Sequence, residues 1–138
     1  MMVRLHLVYE GDLQFRAVHG PSQKEIVTDA PLDNQGKGRS FSPSDLMATA
    51  LGACMGTIMG IVAKRDNIDL SGMTLTVEKE MINKPVRRIG SLKVDIQIPK
   101  KLTEIEKKKL KTAAESCPVH KSFHPDIQIT THYSWDDE

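Results

Sequence analysis

The first residues of the chain alternate apolar and polar side chains, which is the period-two pattern of a β-strand. The alternation runs from Val3 to Tyr9, is interrupted by Glu-Gly-Asp at 10–12, and resumes from Leu13 to Ala17. Two alternating segments around a short polar turn predict a β-hairpin. A third strand is predicted over 24–29, and the Gly, Pro, Asn and Ser content of residues 30–43 indicates an irregular loop.

A run without charged residues from Leu46 to Ala63 predicts a long central helix. Ser42 with Pro43 after it, and Asp45 in the first turn, are typical of a helix start. The helix is expected to end near residues 64–65, because Asp-Asn follows at 66–67.

The same run of eighteen residues reaches the lower length limit of a transmembrane helix. Three glycines, two threonines and four alanines make it only mildly hydrophobic, which favours a core helix over a membrane span. Gly52, Gly56 and Gly60 lie on one line of this helix. Glycines are unfavourable inside helices, so this line predicts that another element approaches closely.

The second half of the chain returns to period two and then to helical spacing. Strands are predicted over 73–81 and 92–98 with a turn at 83–85, and a last strand over 127–133. Thr103 is expected to cap a helix over 104–116, whose lysines are interpreted as a solvated face. A short helix follows Cys117-Pro118 and ends by Pro125.

The predicted element order is ββ(β)-α-ββ-α-(α)-β, with antiparallel hairpins rather than strand-helix-strand crossovers. This order indicates an α+β fold. At 138 residues the chain is expected to form one domain, residues 1–138.

The charge balance argues against nucleic acid as a partner. Lys and Arg total 19 against 18 Asp and Glu, so the net charge is +1 and a strong basic field is missing. The N-terminus has neither a long apolar block nor a small-residue cleavage site, so no secretory signal is predicted and we expect a cytoplasmic protein. In that reducing compartment, a disulfide between the two cysteines would be transient and catalytic or redox-sensing.

The two cysteines allow different interpretations when they are considered separately. Cys54 lies on the bulky apolar side of the helical wheel, and alone it is best interpreted as a core residue. Cys117 precedes Pro118 at a predicted helix start, where a thiol is either reactive or merely structural. Cys117 and His120 have an i, i+3 spacing, but Cys54 and His124 would complete a zinc site irregularly, so no metal is expected.

Two motifs together resemble the OsmC/Ohr family, the osmotically inducible and organic hydroperoxide resistance proteins. They are SPSDLMATALGAC at 42–54 and SCPVH at 116–120, and both cysteine motifs match the family in type, order and separation. The resemblance implies an OsmC-like α+β fold and an intertwined homodimer with two active sites at the subunit interface.

The resemblance also implies a thiol peroxidase acting on organic hydroperoxides. In that role Cys54 is the peroxidatic cysteine and Cys117 the resolving one. A Cys54 sulfenic acid would condense with Cys117 to a disulfide, which an external dithiol, such as a lipoyl-type group, would reduce. No haem, flavin or metal cofactor is implied.

The family holds an arginine beside the reactive thiolate with an acid. Here Ser44 stands where the hydroperoxide-resistance branch has glutamate, so the resemblance assigns the acid to Asp45. The arginine is Arg39 or Arg16, of which Arg39 is favoured, although either can be a solvated surface residue.

Helix spacing makes a site within one chain difficult. Asp45 and Cys54 are nine residues apart, which is about 13 Å along a helix. We therefore predict that each site combines Cys54 of one chain with Asp45 or Arg39 of a second chain.

Two other functions fit the same residues. One is a redox-sensing or ligand-binding protein of this fold with little peroxidase turnover, and the other is a structural dimer with incidental cysteines. The missing glutamate favours the first of these two.

Overall fold

The structure is a computed structural model that describes residues 1–136. It has an α+β fold with two small sheets and one long helix. The chain divides into two compact units, Met1–Met47 and the remainder from Ala48 onward. The single domain expected from the chain length stays a prediction.

The first unit contains an antiparallel three-stranded sheet. Its strands are β1 (Leu5–Gly11), β2 (Gln14–His19) and β3 (Glu25–Asp29), with β2 in the middle. A single turn of 3₁₀ helix, Leu32–Asn34, lies in the loop that follows β3. The predicted hairpin and third strand are thereby confirmed.

The turn of the first hairpin differs in detail from the prediction. Asp12 and Leu13 have left-handed backbones, with φ of 53° and 66°, so Leu13 lies in the turn and not in the second strand. Positive φ at both central residues suits the right-handed twist of the flanking strands. The pairing also shifts between Tyr9 and Gly11, which moves the turn one residue along the chain.

One face of this sheet is apolar and exposed. Leu7 pairs with Ala17, and Ala17 pairs with Ile26, so these side chains share a face with Leu5 and Phe15. Leu5, Leu7 and Ile26 are 61%, 54% and 52% exposed. Together with residues of the following helix start, this face forms an open apolar depression of about 550 Å³.

The long helix α1 spans Pro43–Arg65, as its start and stop signals predict. It begins in the first unit and continues through the second. Lys64 and Arg65 occupy its last turn, and the left-handed Asn67, with φ of 56°, ends it. By length and hydropathy α1 could cross a membrane. However, Leu51, Met55 and Met59 are fully buried within the chain, which is the position of a core helix.

The second unit contains a mixed three-stranded sheet. β4 (Thr74–Ile82) is antiparallel to β5 (Arg88–Ile98), and β5 is parallel to β6 (Gln128–Trp135). Two helices, α2 (Glu104–Glu115) and α3 (Pro118–Ser122), form the connection from β5 to β6. The expectation of hairpins without crossovers is therefore wrong for the last strand, because parallel neighbours cannot be joined by a tight turn.

The glycine line of α1 is only partly used for close packing. A Cβ atom on Gly52 would lie 2.8 Å from Val77 Cγ2, and one on Gly56 would lie 3.2 Å from Leu75 Cδ1. These two positions confirm that β4 approaches the helix closely. A Cβ on Gly60 would meet no described atom of this chain within 4 Å, so close packing within the chain does not extend to this glycine.

The lysines of α2 are not all solvated. Lys107 is 8% exposed, and its Nζ lies 5.6 Å from the ring centroid of Trp135. Lys111 Nζ lies 5.4 Å from the ring centroid of Tyr133, and the two rings stack on each other. Cations over aromatic faces attach α2 to β6, which corrects the interpretation of this helix face.

Candidate active site

Cys54 lies at the edge of the buried stripe of α1. Its neighbours Leu51 and Met55 are buried, whereas Ala53 and Thr57 are exposed. Cys54 itself is partly buried and packs against the hydrophobic core. The Cys54 side chain is therefore neither fully buried in the core nor fully exposed to solvent.

Cys117 is the N-cap residue of α3, with Pro118 at the first helical position, as predicted. Its side chain is completely buried, with 0% exposure. The backbone N–H of His120 donates a hydrogen bond to Cys117 Sγ over 3.2 Å. The cap thus fixes the sulfur in place as an acceptor.

The fold brings the two cysteine side chains close enough to interact, although they are distant in sequence. Both are free thiols. Burial raises the pKa of the Cys117 thiol, the His120 N–H lowers that pKa, and the neighbouring Cys54 side chain raises it again. A thiolate at Cys54 therefore opposes a second one at Cys117, and adjacent thiols of this kind can be oxidised to a disulfide.

Arg39 and Asp29 form a two-point ion pair in the first unit. Arg39 Nε donates to Asp29 Oδ2 over 2.7 Å and Nη2 donates to Oδ1 over 3.2 Å, while the Arg39 backbone N–H donates to Oδ2 over 3.0 Å. The Asp29 side chain is fully buried. These hydrogen bonds from Arg39 lower the pKa of the Asp29 carboxyl to about 2.

Arg39 has a second acidic partner in the first hairpin turn. Its Nη1 lies 3.2 Å from Asp12 Oδ2, and its Nη2 donates to the Asp12 carbonyl oxygen over 3.1 Å. The arginine side chain nevertheless remains 38% exposed. The guanidinium is thus held in one orientation while part of it stays accessible.

Sequence reasoning missed Asp29. It is the last residue of β3 and lies ten positions before Arg39, with an irregular loop between them. An acid at the end of a predicted strand is a common surface residue, so nothing in the spacing marks it as buried and paired.

The alternative arginine, Arg16, lies in the middle strand of the first sheet. Its Nε donates to Glu10 Oε1 over 2.8 Å and its Nη1 donates to Glu25 Oε1 over 3.1 Å. It alternates with Phe15 along β2 and so points to the other face of the sheet.

Asp45 belongs to the cap of α1. The Ser42 backbone N–H donates to Asp45 Oδ2 over 2.9 Å, and the Asp45 N–H donates to Ser42 Oγ over 3.0 Å. This reciprocal pair satisfies two N–H groups at the helix start. A role of Asp45 in holding an arginine stays a prediction.

Metal ligation finds no geometric support in the part of the chain that the structure describes. Across residues 1–136, no three or more His, Cys, Asp or Glu side chains are grouped closely enough to hold an ion. His124 Nδ1 instead accepts the Asp126 N–H over 3.0 Å.

Comparison with known proteins places these features in a family context. The model of the family described as OsmC-like protein matches residues 36–132, which include both cysteines. No curated protein matches the chain significantly.

Solved structures resemble the chain over almost its whole length. A candidate osmotic stress induced and detoxification response protein from Psychrobacter arcticus 273-4 is 44% identical over 96% of each chain, with a TM-score of 0.90. An organic hydroperoxide resistance protein OsmC from Legionella pneumophila is 18% identical over 97% of each chain, with a TM-score of 0.77. The organic hydroperoxide resistance protein OhrB of Bacillus subtilis is 18% identical, with a TM-score of 0.68 over 97% of this chain and 98% of that one.

The Legionella and Bacillus proteins, at 18% identity, share the fold with this chain. The match to the family model and the Psychrobacter protein at 44% identity establish the family. Both cysteine motifs lie inside the matched range, and the two thiols meet in the structure. This chain therefore belongs to the OsmC family, within the OsmC/Ohr group of proteins.

Proposed function

We propose that the protein is a thiol peroxidase that reduces organic hydroperoxides, with Cys54 as the peroxidatic and Cys117 as the resolving cysteine. The observation that carries the proposal is the contact between a partly exposed thiol on α1 and a buried thiol at the cap of α3. The substrate class is supported by the names of the Legionella and Bacillus relatives.

The reaction would proceed in three steps. The Cys54 thiolate attacks one peroxide oxygen, the O–O bond breaks, and the alcohol leaves after taking up a proton. The resulting sulfenic acid condenses with the Cys117 thiol, which forms the disulfide and releases water. An external dithiol, for which a lipoyl-type group is the candidate, then reduces the disulfide and is itself oxidised to a disulfide.

The thiolate needs a nearby cation, because apolar surroundings disfavour its negative charge. We assign this cation to Arg39 and a supporting carboxylate to Asp45, both from a second copy of the chain. Asp29 extends this assignment, since it orients the guanidinium of Arg39. No resident cofactor takes part in the proposed reaction.

A homodimer is the proposed assembly. Proteins of this family are typically homodimers. The exposed apolar face of the first sheet supports the same assembly, because apolar faces of this kind mark interaction sites. On α1, Ile61 is also exposed. We expect the dimer to function in the cytoplasm, with neither nucleic acid nor membrane as partner.

One observation favours a second candidate, a redox-sensing or ligand-binding protein with little turnover. Arg39 already pairs with Asp29 and Asp12, so much of its positive charge is compensated within its own unit. An arginine in this state would stabilise a thiolate less strongly than one that faces a single acid.

Steady-state reduction of cumene hydroperoxide with dihydrolipoamide distinguishes the two candidates. The wild type is expected to turn over, whereas Cys54→Ser is not. If wild type and Cys54→Ser are indistinguishable, the peroxidase proposal fails. Formation of a Cys54–Cys117 disulfide by stoichiometric peroxide without turnover would then support the redox sensor, and its absence would leave a structural dimer with incidental cysteines.

A further inference from the structure

We infer that thiol reductants open the Cys54–Cys117 disulfide at the Cys54 sulfur and expel Cys117 as the leaving thiolate. The inference rests on the proposed redox function of this cysteine pair. It specifies which sulfur the reductant must reach, and therefore where the mixed disulfide with the reductant forms.

Access distinguishes the two sulfurs. Cys117 has 0% exposure, while Cys54 is partly exposed beside the exposed residues Ala53 and Thr57 of the same helix. The Cys54 side chain already neighbours Cys117 in the reduced protein, and a disulfide would keep it there. In the isolated chain a dissolved thiolate therefore has a path to Cys54 and none to Cys117 without local unfolding. The proposed dimer must keep the path to Cys54 open, because the peroxide has to reach the same sulfur.

The direction of attack agrees with this route. Thiol–disulfide exchange requires the incoming sulfur, the attacked sulfur and the leaving sulfur to lie nearly in line. Cys54 is partly exposed on α1, and its side chain interacts with Cys117 at the buried cap of α3. An approach from the exposed flank thus places Cys117 in the leaving position.

Cys117 is a less favourable leaving group than a thiol of ordinary pKa, but the difference in access between the two sulfurs outweighs this disadvantage. Burial raises the pKa of Cys117, and thiols of higher pKa leave more slowly. The His120 N–H, 3.2 Å from Cys117 Sγ, donates to the departing thiolate and offsets part of that cost. A slower leaving group reduces the rate, whereas a sulfur without exposure cannot be attacked in the folded protein.

The raised pKa also affects the step after the attack. Once Cys117 has left, it takes up a proton, and a protonated thiol does not attack the new mixed disulfide. The mixed disulfide on Cys54 then persists until the second thiol of the same dithiol attacks the reductant sulfur that is bonded to Cys54. That step releases Cys54 and leaves the reductant as an intramolecular disulfide, so that two electrons and two protons enter the cysteine pair.

The position of the mixed disulfide can be measured with a monothiol, which cannot complete the second step within one molecule. Full-length protein is oxidised with diamide, which makes the disulfide without any peroxidase activity, and is then exposed briefly to β-mercaptoethanol. Acid quenching, alkylation with N-ethylmaleimide in denaturant and peptide mass spectrometry identify the adduct. Cys117→Ser and Cys54→Ser supply the two reference peptides, each converted to its mixed disulfide in denaturant by exchange with the disulfide of β-mercaptoethanol, which releases one equivalent of β-mercaptoethanol.

At the shortest quench times we expect the β-mercaptoethanol adduct on Cys54 and the maleimide on Cys117. The reverse labelling overturns the inference and leaves the peroxidase proposal intact, since the proposed peroxide chemistry does not depend on how the disulfide is reopened. Failure of diamide to produce the disulfide overturns the inference too. If the adduct forms on Cys54 but the wild type shows no peroxidase turnover, only the proposed function is overturned.

A second measurement compares the two thiols directly. In native reduced protein, the single thiol of Cys54→Ser is expected to react with an aromatic disulfide reagent about tenfold or more slowly than the single thiol of Cys117→Ser. In denaturant the two rates should converge. Equal rates in the folded proteins would contradict the access argument.

Discussion

The guanidinium of Arg39 and the buried carboxylate of Asp29 are joined by two hydrogen bonds, Nε to Oδ2 at 2.7 Å and Nη2 to Oδ1 at 3.2 Å. The pair joins the end of β3 to the loop that leads into α1. A buried acid of this kind affects both the stability of the first unit and the orientation of the arginine.

Asp29 is expected to make stability depend on pH in the acid range. Its pKa is about 2 in the folded protein, below the ordinary value of 3.8. A depressed folded pKa contributes stability that is present above the ordinary pKa and is lost as pH falls from about 4 towards 2. The free energy of unfolding of the wild type, measured with urea, should decrease over this pH window. That of Asp29→Asn should decrease less steeply.

A matched control for that measurement is Asp69, whose pKa is also about 2 because of hydrogen bonds from Ser71 and Lys100. Asp69→Asn removes an acid of similar pKa from the second unit. Each single variant should therefore remove part of the acid dependence, and the double variant should remove more. An unchanged slope in Asp29→Asn would contradict the role of the Arg39 pair.

Gly52 and Gly60 provide a matched pair of helix substitutions. Gly52→Ala places a methyl group 2.8 Å from Val77 Cγ2, so we expect a loss of about 1–3 kcal/mol in the free energy of unfolding. Gly60→Ala meets no described atom within 4 Å. Better helix propensity should then raise stability by up to about 1 kcal/mol.

Thermal and urea unfolding of both glycine variants test this contrast. A similar loss of stability at both positions would show that another molecule fills the space beside Gly60. Sedimentation of Gly60→Ala over a range of protein concentrations would reveal whether that molecule is a second copy of the chain.

Asp45 can be tested for a role beyond helix capping. Ser42→Ala and Asp45→Asn both disturb the same cap, and each should cost about 0.5–2 kcal/mol of stability. Only Asp45→Asn removes a charge from the proposed peroxidase site. We expect it to lower kcat/KM and shift the pH profile, while Ser42→Ala leaves both near wild type. Equal activity in the two variants would restrict Asp45 to its capping role.

Removal of the resolving thiol should expose Cys54 to overoxidation. In Cys117→Ser the sulfenic acid has no cysteine partner, so excess cumene hydroperoxide is expected to convert Cys54 to sulfinic and sulfonic acid. Wild type should instead accumulate the disulfide. Intact-mass spectrometry separates these products, and comparable overoxidation of wild type would contradict the resolving role of Cys117.

Local signals in the sequence predicted much of the fold. Alternation located the strands, and capping residues such as Thr103 located the helix ends. The structure adds that the Glu106 N–H donates to Thr103 Oγ1 and the Thr103 N–H donates to Glu106 Oε1. The start of α1 at Pro43 and the cap at Cys117 were predicted in the same way. These features depend on neighbours within a few residues, which is why one sequence suffices for them.

The wrong or missing predictions concern contacts between residues that are distant in sequence. Alternation along β6 does not indicate that its neighbour runs parallel to it. Helical spacing places Gly60 in line with Gly52 and Gly56, but β4 approaches closely only at the latter two. Asp29 finds its partner across an irregular loop. Such contacts depend on tertiary packing, which local patterns do not encode.

The sequence nominated two cysteines for the candidate site and missed one of its charged groups. Periodicity alone assigned Cys54 to the core, and the family resemblance made it reactive. The structure places the two cysteine side chains close together, and their pairing in a reaction stays a prediction. The acid paired with Arg39 is Asp29, which no motif marked.

More than sixty residues of chain separate Cys54 from Cys117. A covalent bond between them would close a loop of that length in the unfolded chain, and the chain-entropy model values such a constraint at about 4 kcal/mol. Small proteins have only about 5–15 kcal/mol of stability in total. The oxidised protein should therefore melt at a clearly higher temperature and resist proteolysis longer than the reduced one, so that its lifetime in a cell would depend on the redox state of these two cysteines.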